Sequence, residues 1–271
     1  MPDIYRLKGQ VKHYDWGGSE FIPKLLGQQN QTHQPFAEYW MGIHPQGPAQ
    51  LQSATGQEIA LIDVEPSLQF LLKVLDVKEM LSIQVHPNKD MAKVDFEREN
   101  SMGIPLDSPV RNYKDPNHKP ELMVALSEFW LLHGFRSVDS LNEVLNKNQF
   151  LSSVKVKLEE IGLGGLYRWI MEMPQEAVNN MLAIPVQEMV KQYRTGALDK
   201  SDPCFWAARA YDWSGSGHEV DRGIFSIFLF NLVRLEQGQA IFQGAGVPHA
   251  YLEGQNVEIM ANSDNVLRGG L

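Results

Sequence analysis

The stretch Leu81-Ser82-Ile83-Gln84-Val85-His86, read as a strand, puts Leu81, Ile83 and Val85 on one face and Ser82, Gln84 and His86 on the other. Three polar side chains on one face of an apolar strand are costly to bury unless partners satisfy them. A metal ion and a polar ligand are such partners. Glu121 opens a second strand, Glu121-Leu-Met-Val-Ala-Leu126, and His249 lies in Gly246-Val-Pro-His249. Gln84, His86, Glu121 and His249 make a donor set of two imidazoles, one carboxylate and one carboxamide oxygen. Around a divalent zinc ion that set leaves a formal charge of about +1, so the ion stays a good Lewis acid. Taken singly, each residue is more often structural or solvated. The Gln84-x-His86 pair on one face is what spacing adds, and spacing goes no further.

The neighbouring cations suggest an anionic ligand. His118 and Lys119 lie just before Glu121, Lys73 sits inside the apolar run Phe70-Leu-Leu-Lys-Val-Leu75, and Arg268 precedes two glycines that permit close approach. A cation in an apolar strand needs an anionic partner or a wet face. With Ser82, these groups could hold a phosphate by charge-assisted hydrogen bonds. His13, His33, His44, His133 and His218 lack comparable neighbours and read as surface or satisfied core residues. There is no P-loop, no Gly-x-Gly-x-x-Gly after a strand and no nucleophile elbow, which disfavours nucleotide chemistry. Gly162-x-Gly164-Gly165 reads as a turn.

These residues need a scaffold. From about Glu38 to His133, short apolar runs alternate with Pro, Gly and Asn, as strands do. From Ser137 to Thr195 the spacing becomes helical, with Ser140-x-x-Glu143 in the form of a capping box and Pro174 and Pro185 expected to divide the helices. After Asp221 the β pattern returns, in Phe225–Leu235, Gln239–Phe242 and Val257–Ala261. The expected fold is mainly β with an α insertion, a β-barrel interrupted by a helical domain. Its expected division is 1–136, 137–215 for the helical insertion, and 216–271.

The chain has 271 residues, 43% of them hydrophobic and 21% charged, which suits a globular protein rather than a disordered one. A formal charge of −9 argues against broad attraction to nucleic acid. Cys204 is the only cysteine, so a disulfide scaffold is excluded. The N-terminus lacks the apolar core of a signal peptide, and Ile224–Val233 is too short to span a bilayer. A cytoplasmic protein with no membrane association is expected.

Longer segments carry a family resemblance. They are Tyr14-Asp-Trp-Gly17, Ala37-Glu-Tyr-Trp-Met-Gly-Ile-His-Pro45, Phe70–Leu75, Leu81-Ser-Ile-Gln-Val-His-Pro-Asn-Lys89, Arg111–Leu122, Pro248-His-Ala-Tyr-Leu252 and Met260–Leu271. The chain resembles the type I mannose-6-phosphate isomerase (phosphomannose isomerase) family, zinc enzymes of the cupin superfamily. The resemblance implies a cupin-type β-barrel, or jelly roll, and one Zn²⁺ per chain on Gln84, His86, Glu121 and His249. It implies a sugar-phosphate substrate, with Arg268 as the active-site arginine and Lys73, Ser82 and Lys119 at the phosphate end or the floor. Trp16, His118, Tyr251 and Asp264 would line the pocket. The family continues past the final Arg-x-Gly-Leu, so the chain reads as lacking a C-terminal part with a second cupin domain.

The implied reaction interconverts mannose 6-phosphate and fructose 6-phosphate through a cis-enediol. Lys119, His118 and a metal-bound water remain open as the base. A non-catalytic sugar-phosphate-binding cupin and another metal cupin, such as an iron oxygenase with two His and one carboxylate, are the competing readings. The oligomeric state is left open, a monomer included.

Overall fold

The thirteen-residue segment His249–Ala261 organises the molecule. The computed structural model describes residues 4–53, 56–213 and 219–271, so His218 lies outside the described residues. In chain order the strands are β1 (Arg6–Lys8), β2 (Gln10–Lys12), β3 (Glu38–Met41), β4 (Gln50–Gln52), β5 (Glu58–Ala60), β6 (Phe70–Val77) and β7 (Gln84–Val85). They continue as β8 (Glu121–Ala125), β9 (Phe129–Phe135), β10 (Phe230–Leu235), β11 (Ala240–Gln243), β12 (His249–Ala261) and β13 (Leu267–Arg268). The helices are α1 (Phe21–Leu25), α2 (Leu61–Val64), α3 (Lys89–Ser101), α4 (Val138–Lys147), α5 (Ser152–Met171), α6 (Gln175–Arg194), α7 (Pro203–Trp213) and α8 (Gly223–Leu229).

β12 changes partners along its length. Its first part pairs with β7 and β9, and its second part with β6 and β8. The change falls at Gly254, whose φ of +128° suits only glycine, and where a Cβ would meet Glu128 O and the Phe129 ring at 2.6 Å. The bend lets one strand serve two halves of a ten-stranded sheet ordered β10-β9-β12-β6-β3-β2, with β7, β8, β11 and β13 branching from it. A separate three-stranded sheet, β1-β4-β5, lies apart.

The expected closed cupin-type barrel is not what forms. Among the described residues β2, β10, β11 and β13 each pair with one strand of the large sheet, so its edges stay open. Nor is the fold mainly β: of the described residues about 36% are helix and 25% strand, a mixed α/β fold. Part of that miscount is physical. Ile224-Phe-Ser-Ile-Phe-Leu229 is buried on every side, so its side chains carry no periodicity to separate strand from helix. It forms α8, and only Phe230–Leu235 of the expected strand is β.

Two other local expectations are corrected. Ser137, not Ser140, caps α4, its side chain accepting from Ser140 N at 3.3 Å. Pro185 lies inside α6 instead of ending it. The break occurs in α5 at Gly162, at φ +68° and ψ 174°.

Alternation then sorts the side chains. On β9, Trp130 and Leu132 join the large apolar cluster built with the helices, whereas Phe129 and Leu131 join a second cluster with Leu75, Met123 and Tyr251. On β12, Ala250 and Leu252 face the helices, and Tyr251 faces the second cluster. The helices thus cover one face of the sheet, and the other carries the second apolar cluster together with buried polar residues. Among the described residues no helix is long and apolar enough to cross a membrane.

Candidate metal centre

Past the bend, Asn256, Glu258 and Met260 of β12 are buried, as are Lys73 on β6, Glu121 and Met123 on β8, and Glu38 and Trp40 on β3. Register sets them in rows: Glu258 lies between Lys73 and Met123, Lys73 faces Trp40, and Glu121 lies between Met260 and Gln243. At the start of β12, His249 faces Gln84 and His133, and Gln84 faces Arg268 across β7–β13. The polar face thus carries the candidate chemistry.

His86, Glu121 and His249 converge although they come from three separate segments. Their ligand atoms all lie within 4.8 Å of one another, and all three residues are buried. His86 Nε2 is 3.2 Å from Glu121 Oε1, and His249 Nε2 is 3.4 Å from Glu121 Oε2. Each imidazole is oriented from behind: His86 Nδ1 lies 2.9 Å from Asn265 O and His249 Nδ1 lies 3.0 Å from Val247 O. A carbonyl oxygen only accepts, so each Nδ1 carries the proton. Each ring therefore turns its Nε2 toward the carboxylate. His86 Nε2 is buried with no hydrogen-bond partner despite its 3.2 Å approach to Glu121.

Electrostatics favour the same arrangement. Burial pushes the His86 pKa down, keeping the ring neutral. Burial opposes a charge on Glu121, yet Lys119 Nζ, 3.2 Å from Glu121 Oε1, helps hold the carboxyl well below its usual range. Two Nε2 atoms and a carboxylate facing one another within 4.8 Å make a donor cluster that could hold a cation. Imidazole and carboxylate donors held by backbone carbonyls suit a divalent transition metal.

The triad borders a cavity of about 870 Å³. Of the residues singled out from the sequence, Trp16, Lys73, Ser82, Gln84, Lys119, Glu121, His249, Tyr251, Asp264 and Arg268 line it. His86 lies buried in the triad, outside this lining. His118 is exposed and does not line the cavity. Arg268 donates to Ser82 Oγ at 2.7 Å. Trp16 stacks on Tyr14 with ring centroids 5.8 Å apart. Lys73 is paired with carboxylates, 3.4 Å from Glu38 and 3.9 Å from Glu258.

Three cavity residues escaped sequence reading. Glu258 accepts from the Tyr251 hydroxyl at 2.7 Å, and burial and nearby Glu121 push its pKa up to about 7. Glu38 accepts from the Trp40 indole. His44 lies 3.1 Å from Asp264, and that hydrogen bond outweighs burial in lowering the Asp264 pKa. The signal for Glu258 was present. Asn256 and Glu258 alternate with Val257 and Ile259 just as Ser82 and Gln84 do with Ile83 and Val85.

Residues 4–138 match the family model "Phosphomannose isomerase type I, catalytic domain". Over 288 residues the chain is 37% identical to the mannose-6-phosphate isomerase of Escherichia coli (strain K12), covering 99% of this chain and 71% of that protein. It is 33% identical to the Bos taurus mannose-6-phosphate isomerase, over 99% of this chain and 69% of the relative. Among solved structures, it is similar to the Salmonella typhimurium mannose 6-phosphate isomerase bound to substrate and zinc. That match has a TM-score of 0.85 and 34% identity, covering 98% of this chain and 70% of the other.

Proposed function

The chain belongs to the type I phosphomannose isomerase family, and from that premise we propose that it interconverts mannose 6-phosphate and fructose 6-phosphate. The observation that carries this reading is the convergence of two carbonyl-anchored imidazoles and Glu121 beside a cavity lined by Lys119, Ser82 and Arg268. His86, Glu121 and His249 would hold one zinc ion per chain, with Gln84 from the neighbouring strand as fourth donor. When bound, the ion supplies Lewis acidity toward the oxygens at C1 and C2 of the open-chain sugar.

The protein's own residues divide the remaining work. Lys119, beside Glu121 and in the cavity, takes the proton from C2 and returns it to C1, while the O2 hydroxyl proton passes to O1 by way of the cis-enediol. The exposed position of His118, off the cavity lining, favours Lys119 over it as the base. Arg268 cannot act as a base and instead offers guanidinium donors to charge growing on the enediol oxygens. Ser82, bonded to Arg268, helps fix it and turns a hydroxyl toward the sugar phosphate. Trp16, Tyr251 and Asp264 shape the walls.

The deciding experiment is metal analysis combined with a coupled assay for fructose 6-phosphate formed from mannose 6-phosphate, with and without added zinc. Stoichiometric zinc and zinc-dependent turnover are expected. Sugar-phosphate binding without turnover would leave a binding protein, and stoichiometric iron with oxygen consumption would assign a different metal enzyme.

A further inference from the structure

We propose that Asn265 is a positioning residue that fixes the tautomer and orientation of His86 by clamping two distant segments of chain together. The inference rests on the reading of His86 as a metal ligand. Asn265 is fully buried. Its main-chain oxygen receives the His86 Nδ1 proton at 2.9 Å. Its side chain is fully engaged on the loop before β8: Oδ1 accepts from Lys114 N at 2.7 Å and Asp115 N at 3.2 Å. Nδ2 donates to Asp115 O at 2.7 Å and Asn117 O at 2.8 Å, with Asp115 Oδ1 at 3.4 Å.

Only a carboxamide supplies two acceptor sites and two donors at this reach. Asp offers no donor, and apolar residues offer neither. The clamp is reinforced beside it. Asn265 N donates to Ser263 Oγ at 3.2 Å, Ser263 Oγ donates to Asp115 Oδ2 at 3.1 Å, and Asp264 N donates to the same oxygen at 3.0 Å. A backbone carbonyl orients an imidazole only as well as its own peptide is held. Here that peptide is held by its side chain, and the loop it grips leads directly into Lys119 and Glu121. The same segment reaches Arg268 three residues later, so the clamp sets the metal end and the substrate end of the site from one point.

A staple that merely stabilised the fold would change melting temperature and nothing at His86. The test therefore reads His86 itself. In metal-free Asn265→Ala, at a pH where the ring is neutral, ¹⁵N–¹H spectra of the histidine rings should show His86 dividing between Nδ1–H and Nε2–H forms, against Nδ1–H alone in the parent. Zinc affinity, from competition with a chromophoric chelator, should weaken by about 10- to 100-fold. A single Nδ1–H form together with parental zinc affinity overturns the proposal. Should Asn265→Ala not fold, Ser263→Ala, which removes one anchor, is expected to move both readouts in the same direction by a few-fold, and no movement overturns the proposal equally. If the parent itself binds no zinc, the metal reading fails, and the tautomer measurement still decides the role of Asn265.

Discussion

Lys73 Nζ and Glu258 Oε1 lie 3.9 Å apart on neighbouring positions of the β6–β12 ladder, both buried. Glu38 closes the group from the other side at 3.4 Å, and the Lys73 ammonium also lies over the Trp40 ring. Burial works against the Lys73 charge, yet the two carboxylates outweigh it and push its pKa up. This lysine is therefore already neutralised by protein. Removing it leaves the buried Glu38 without its cation and drives Glu258 to take up a proton, so Lys73→Met should cost about 3 kcal/mol of stability in urea unfolding. A stable variant that only loses affinity for sugar phosphate would return Lys73 to the phosphate end.

Zinc should stabilise the folded chain. A ligand present at a thousandfold excess over its Kd adds about 4 kcal/mol to stability. For a domain of this size that is a rise in Tm of roughly 10 °C, reversed by a chelator. Glu121→Gln and His86→Ala should abolish most of the rise. A zinc-induced shift that survives in both variants would place the ion elsewhere.

The site was more legible than the scaffold, and the reason is local. Ser82, Gln84 and His86 alternate in sequence against Leu81, Ile83 and Val85; Ser82 and Gln84 line the cavity and Ile83 joins the large apolar cluster, although Leu81 lines the cavity too and only Gln84–Val85 is regular strand. The neighbouring residues lie outside regular strand and are held by isolated backbone bonds, Leu81 N to Tyr251 O and Ile83 N to Gly270 O. Convergence of His249 with that pair could not be read from spacing, because it depends on a register, His249 opposite Gln84, set by the bend at Gly254. Closure of the sheet depends on edges such as β11 and β13, and no pattern within a strand reports whether a second partner arrives. The helix Gly223–Leu229 was hidden by complete burial. His44 was dismissed for want of neighbours in sequence, whereas its partner Asp264 is 220 positions away.

Acid should loosen the attachment of α7 to the sheet. Glu253 on β12 binds both Lys200 and Arg209, and Arg209 also reaches Glu79 at 3.3 Å. Burial opposes the Glu253 charge, but these hydrogen bonds outweigh it and hold its pKa below the usual carboxylate value. The unfolded chain then binds the proton more readily than the folded one. The contribution is full above the unfolded value of about 4.3 and is lost as pH falls through the folded value. Glu253→Gln should flatten the dependence of Tm on pH in that acid range while lowering Tm at neutral pH. An unchanged acid slope would assign the sensitivity to other carboxylates.

Arg268 provides the sharpest separation of roles in the cavity. Its guanidinium is exposed at the rim, bonded to Ser82 Oγ, and its backbone faces Gln84, which in turn faces His249. Strands lie about 4.8 Å apart, so two steps of the ladder, roughly 10 Å, separate the backbone of Arg268 from that of His249. If it meets charge that exists only in the transition state, Arg268→Ala should lower kcat by on the order of 10²-fold and leave KM nearly unchanged. Arg268→Lys should recover little, because a single ammonium cannot reproduce the paired donors of a planar guanidinium. The opposite pattern, a large rise in KM with kcat preserved, would make Arg268 and Ser82 a phosphate clamp and leave charge stabilisation to the metal and Lys119.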